Sequence, residues 1–282
     1  MNTLNLQQKL LAAGFDPGIL DGIMGRKTEA AIINFQTAKG LDADGIVGPQ
    51  TLAALGEGGT TRGPETEGGD GWTQLLDVSA YQGAIDFVKV KASGYPGVAI
   101  KATEGLTRVD PGFHEKWKDA KEAGIVRFAY HFLHPNQDGA AQADLFLRSL
   151  NGDLGEIVAA LDWESDGGVS AAQQLAQADA WYAKVDKVYE NAGYRAKPFA
   201  YSYSSFFGAL SLPARYAARP LWLAGYVREN RLVVPSPWKK YDIWQYAGDA
   251  LSPPVDGIDP RLKKDYNKYY GTIDKLRATY GK

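Results

Sequence analysis

The chain has 282 residues, 45% of them hydrophobic and 23% charged, with a formal net charge of -2. That length allows one large domain and a small one, and so even a charge offers no basic surplus for nucleic acid or an anionic membrane surface. No run of 18 apolar residues supplies a membrane-spanning helix, and the absence of Cys removes any disulfide framework or thiolate metal site.

The chain opens on MNTLNLQQKLLAAGF, which lacks a basic leader region and a small-residue cleavage site. It reads as the first helix of a domain, with synthesis expected in the cytoplasm. Residues 1–55 contain an internal echo. Asp21-Gly22-Ile23-Met24-Gly25 and Thr28 return 23 residues later as Asp44-Gly45-Ile46-Val47-Gly48 and Thr51. Each DGI(M/V)G string predicts a tight turn in which Gly supplies positive φ. Each leads into an apolar stretch of helical period: Ala30, Ala31, Ile33 and Phe35, then Leu52, Ala53 and Leu55. With Leu6 to Leu11 in front, residues 1–55 are predicted to form a small three-helix domain. The string from Asp21 to Leu55 resembles the helical peptidoglycan-binding domain appended to many wall hydrolases.

Residues 56–71, GEGGTTRGPETEGGDG, hold seven Gly, four acids and one Arg, with no large apolar residue. This composition predicts a flexible linker.

From residue 72 onward, strand-like and helix-like pieces alternate. Strands are predicted over 75–81, 97–103, 125–132, 157–164, 198–203, 221–226 and 241–247, with an eighth starting near Asp265. Helices are predicted over 111–123, 138–150 and 171–192, and the later gaps are short or Pro-rich. Such alternation with hydrophobic strands implies a parallel sheet covered by helices. The predicted fold over 72–282 is therefore α/β, an incomplete (β/α) barrel with eight strands and fewer than eight helices. In such barrels the chemistry sits at the C-terminal ends of the strands.

The apolar run IVAAL ends in Asp162-Trp163-Glu164. Residues i and i+2 of a strand face the same way. Asp162 and Glu164 should thus project together, with backbones roughly 6–7 Å apart, while Trp163 points into the packing behind. Each acid disfavours ionisation of the other, so one can hold a proton near neutral pH, as a glycosidase acid must. Other strand ends add Asp77, Ser79, Gln82, Lys101, Thr103, Glu104, Tyr130, His131, Tyr201, Trp222, Tyr226, Gln245, Asp265 and Asn267. Tyr130, Tyr201, Trp222, Tyr226, Trp244 and Tyr246 are candidates for sugar contact, because aromatic faces cover sugar C–H surfaces.

The strings DVSAYQG (77–83), IKATEG (100–105), AYHF (129–132), LDWE (161–164), LWLAGY (221–226), IWQYA (243–247) and DYNKYYG (265–271) fall in one order across residues 75–271. In this the large domain resembles the family 25 glycoside hydrolases, the Chalaropsis-type lysozymes. The resemblance implies cleavage of the β-1,4 bond after N-acetylmuramic acid. It implies Glu164 as general acid, with Asp77, Asp162 and Asp265 as supporting carboxylates and Glu104, Tyr130, Tyr201, Trp222, Tyr226, Gln245 and Asn267 as substrate-binding residues. Phe128, just before AYHF, departs from the Gly expected there. After protonation by Glu164, either the substrate's acetamido oxygen, oriented by Asp162, or a water activated by Asp265 or Asp77 completes the reaction; the former is slightly favoured.

Three rival readings stand beside this one. A zinc amidase or peptidase would need His ligands, and only His114, His131 and His134 exist. A chitinase would carry acids two and five residues before Asp162, where Ala160 and Ile157 stand. A non-catalytic wall-binding barrel would have no need of all four acids. The expected partner is bacterial peptidoglycan, engaged by a monomer with no nucleic acid, membrane insertion, cofactor or metal. A binding module placed before catalysis resembles phage endolysins acting on Gram-negative hosts, with a bacterial autolysin exported by another route as the alternative.

Overall fold

The structure, a computed structural model, describes residues 3–41, 43, 45, 47, 51, 54–55, 71–227, 229–248 and 254–282. The chain divides into two compact units, Met1–Arg62 and Gly63–Lys282. The predicted linker lies outside the described residues apart from Gly71.

In the small unit, α1 (Thr3–Ala12) and α2 (Arg26–Ala38) enclose Leu6, Leu10, Ala31, Ile32 and Phe35. Ile32 takes the core position predicted for Ile33, which is 39% exposed; Ala31, Ile32 and Phe35 follow the i, i+1, i+4 spacing of one helix face. The echoed turns share one device. Gln7 Oε1 accepts from the Gly22 amide at 2.9 Å while its Nε2 donates to Thr28 Oγ1 at 3.1 Å. Gln36 does the same with Gly45 at 2.8 Å and Thr51 at 3.1 Å. Both glycines have positive φ, as the turns predict. Leu52 and Ala53 of the predicted third helix lie outside the described residues.

Among the described residues the large unit contains nine strands: β1 (Trp72–Val78), β2 (Gly97–Glu104), β3 (Arg108–Val109), β4 (Val126–Phe132), β5 (Ala160–Asp162), β6 (Phe199–Tyr203), β7 (Leu221–Ala224), β8 (Ile243–Ala247) and β9 (Asp265–Tyr270). Eight of them close a ring in the order β1-β2-β4-β5-β6-β7-β8-β9, and β3 is a short hairpin partner of β2. The ring is parallel from β1 through β8, as expected, but β9 runs antiparallel to both neighbours. Antiparallel neighbours need no crossover helix, and none occurs among the described residues between β8 and β9.

Six helices belong to this unit among the described residues: α3 (Phe87–Ala92), α4 (Phe113–Glu122), α5 (Gly139–Leu150), α6 (Ala171–Asn191), α7 (Ser204–Leu210) and α8 (Ile273–Tyr280). The three predicted helices are α4, α5 and α6. The shorter α3, α7 and α8 span too few turns for helical periodicity to show. Asp138 and Ser170 cap α5 and α6 by accepting from Ala141 and Gln173 amides. The two helices meet so closely at Gly139 that a Cβ there would stand 2.0 Å from the Gln177 carbonyl oxygen. His131, Phe146, Trp181 and Tyr182 fill the layer between sheet and helices.

Candidate active site

One end of the barrel opens into a cavity of about 270 Å³. Its wall is built from strand ends, which is why residues far apart in the chain converge there. Asp77 is the penultimate residue of β1, Asp162 is the last of β5, and Glu164 follows two residues on. Because β9 is reversed, it begins at this end, and its first residue is Asp265. All four predicted acids line the cavity, with Lys101, Tyr130, Tyr201, Trp222, Tyr226 and Gln245. Trp163 is buried on the opposite side against Phe206, Phe207 and Tyr216. The alternation predicted for residues 162–164 therefore holds.

Asp77 sits in a polar network. Its Oδ2 accepts from Gln245 Nε2 at 2.9 Å and Asn267 Nδ2 at 2.7 Å. Gln245 Oε1 in turn accepts from Tyr201 and Tyr226 hydroxyls at 2.9 and 3.1 Å, and Asn267 Oδ1 accepts from Trp222 Nε1 at 2.7 Å. Gly248 lets the walls come this close, since a Cβ there would lie 2.2 Å from the Tyr226 hydroxyl and 2.3 Å from Asp265 Oδ1.

Four carboxylates facing one cavity raise each other's proton affinity. Burial lifts Asp77 to about 6; the Asn267 and Gln245 amides oppose the rise and the Glu164 charge adds to it. Burial, then the charges of Asp77 and Glu164, lift Asp265 to about 8. Asp162 is raised well above the ordinary carboxylate range by burial and by Glu164, and its Oδ1 is buried without a hydrogen-bond partner among the described residues. Burial also raises Glu164, against the pull of a hydrogen bond from Asp162 and the charge of Lys101. Of the two, Asp162 is raised the further, so a proton shared by the pair is held more tightly by Asp162.

Two residues expected to bind substrate do not line the cavity. Glu104 is engaged by Lys101 Nζ at 2.8 Å and by His134 Nε2 at 3.1 Å. Asn267 is buried behind Asp77. Trp244 and Tyr246 point out of the barrel, where Trp244 Nε1 donates to the Gly225 carbonyl oxygen and Tyr246 to Gln74. Lys101, Ser79 and Gln82 were legible only as strand-end polar groups, yet they line the cavity; Tyr81 and Phe132 join them without such a signal. Tyr81 rides a one-turn helix fixed by a capping box between Ser79 and Gln82.

The three histidines do not converge. His131 is buried between Thr103 Oγ1 at 2.7 Å and Gln142 Oε1 at 3.1 Å, His134 pairs with Glu104, and His114 packs beside Phe113. Phe128, the departure from the expected Gly, packs inside the barrel against Phe199 and Trp222.

The family model for Glycosyl hydrolases family 25 matches residues 76–254. The chain belongs to this family. As a family 25 chain it is a glycoside hydrolase. It is 31% identical to Lysozyme M1 of Streptomyces globisporus over 77% of this chain and 74% of that protein. It is also 31% identical to the N,O-diacetylmuramidase of Chalaropsis sp over 68% of this chain and 97% of that protein. Among solved structures, the bacterial lysozyme from Streptomyces coelicolor superposes with a TM-score of 0.63 at 29% identity, covering 74% of this chain and 96% of that one. The model for a putative peptidoglycan binding domain matches residues 2–55.

Proposed function

We propose that this family 25 hydrolase is a muramidase that cleaves the β-1,4 bond between N-acetylmuramic acid and N-acetylglucosamine in peptidoglycan. The observation that carries the reading is the convergence of Asp77, Asp162, Glu164 and Asp265 on one sugar-sized cavity at the C-terminal ends of the parallel strands. The names of the related lysozyme and diacetylmuramidase support the choice of bond.

Glu164, the less buried member of the proton-holding pair, is the general acid. The proton on Asp162 passes to Glu164 and from there to the glycosidic oxygen, so the leaving sugar departs as an alcohol. Asp162 is then an anion beside the positive charge that develops when the substrate's acetamido oxygen attacks the anomeric carbon. Water opens the resulting oxazolinium ion and gives its proton to the Glu164 carboxylate. Two displacements retain the anomeric configuration. Product stereochemistry followed by proton NMR on soluble wall fragments should show retention; inversion would exclude substrate assistance. Glu164→Gln should lower the rate by about 10²–10⁴-fold with unchanged far-UV circular dichroism. Full activity in that variant would remove Glu164 from the mechanism.

The small unit is proposed to hold the enzyme on the wall, because tethering makes the second contact intramolecular. Deletion of residues 1–71 should weaken wall binding more than cleavage of soluble fragments. The order of the two modules also supports an endolysin role in host lysis. Lysis of cells expressing the enzyme only when the inner membrane is opened would agree with that role; lysis without such opening would not.

A further inference from the structure

Asp77 and Asp265 are directly opposed in the antiparallel β1–β9 ladder, and both line the cavity. Like charges placed opposite one another across two strands repel, so the environment must decide which of the two is ionised. The carboxylate of Asp77 receives two amide donors, from Gln245 and Asn267. Among the described residues no donor reaches the Asp265 carboxylate.

An amide clamp of this kind works only if both amides turn their nitrogen toward Asp77. A side-chain amide can present either end. On the Gln245 side the partners are tyrosine hydroxyls, which accept as readily as they donate, so they leave the amide free to turn. On the Asn267 side the partner is Trp222 Nε1 at 2.7 Å, and an indole nitrogen can only donate. Asn267 must therefore offer its oxygen to Trp222 and its nitrogen to Asp77. The Trp222 ring is itself braced by Tyr201, Phe128 and Tyr130, with centroids 4.5, 5.5 and 6.1 Å away. Phe128, which stands where the sequence resemblance leads one to expect Gly, is part of that brace.

We propose that Trp222 is a positioning residue whose donor-only indole fixes Asn267 so that Asp77 is the ionised member, and Asp265 the protonated member, of the pair facing the cavity. Burial with opposing amide hydrogen bonds at Asp77, and burial with the charge of Asp77 at Asp265, act in the same sense. The cavity then presents the Asp77 anion at a fixed place, while Asp265 is available as a donor. The meaning of this division for catalysis rests on the muramidase reading, but its measurement does not.

Carbon-13 NMR of the aspartate side-chain carboxyls, titrated in the full chain without substrate, reads the division directly. Asp77 should ionise at a lower pH than Asp265. Trp222→Phe should raise the Asp77 midpoint by about one unit, a tenfold gain in proton affinity. Asn267→Ser should do the same, and the double variant should shift Asp77 no further than Asn267→Ser alone, since Trp222 acts through Asn267. The acidic limb of kcat/KM should move to higher pH with the Asp77 midpoint, whereas a merely structural loss would lower activity evenly across pH. If Asp265 ionises first in the unaltered chain, or if Asn267→Ser shifts Asp77 while a folded Trp222→Phe does not, the proposal fails. Should Trp222→Phe not fold, an unmoved Asp77 in Asn267→Ser would equally overturn it.

Discussion

Asp162 and Glu164 compete for a proton beside Lys101, the one cation among the described residues that line the cavity. The lysine charge favours ionisation of both acids. Lys101→Met should therefore raise their proton affinity and carry the basic limb of the pH–rate profile upward by about one unit, worth about 1.4 kcal/mol. Glu104 keeps His134 and Arg108 as partners in that variant; a basic limb that stays in place or moves down would contradict this role. The acids themselves were legible in the sequence because strand alternation is a strict rule. The clamp around Asp77 was not, since Asn267 and Trp222 sit 45 residues apart and meet only by closure of the barrel.

At the scale of elements, the eight-strand ring and the three long helices could be read from hydrophobic runs and helical spacing. The direction of β9 could not, because a strand's sequence carries no sign of whether its neighbours run with or against it. That reversal matters for the site, since it turns Asp265, the first residue of β9, toward the open end. A second local feature was equally hidden. The β2–β4 register shifts between Lys101 and Thr103. Such a bulge re-aims a side chain, and Lys101 accordingly faces the cavity while Thr103 turns outward to His131. Simple alternation would have put both on one face. The strand predicted over 75–81 ends at Val78 because Ser79 starts the capping box that holds Tyr81.

For the whole molecule, buried titratable groups set how stability depends on pH. His131 is lowered by burial from 6.5 to about 3. The unfolded chain therefore binds its proton first, and this contribution to stability is lost as pH falls from 6.5 toward 3. Asp77 and Asp265, raised from 3.8 to about 6 and about 8, act the other way. The folded state binds their protons more tightly, so their contribution is present at low pH and lost as pH rises through those values. The trends oppose one another below pH 6.5, and above it the Asp265 trend acts against no histidine. Thermal midpoints should fall between pH 6.5 and 8.5, and Asp265→Asn should flatten that fall. A profile that rises over this range, or one that Asp265→Asn leaves unchanged, would contradict the assignment. The central claim, that this cavity cuts the muramic acid bond of the cell wall, is tested most directly by mass spectrometry of fragments released from purified peptidoglycan after borohydride reduction. Fragments ending in reduced N-acetylmuramic acid are expected. Reduced N-acetylglucosamine ends, anhydro ends or free stem peptides would contradict it.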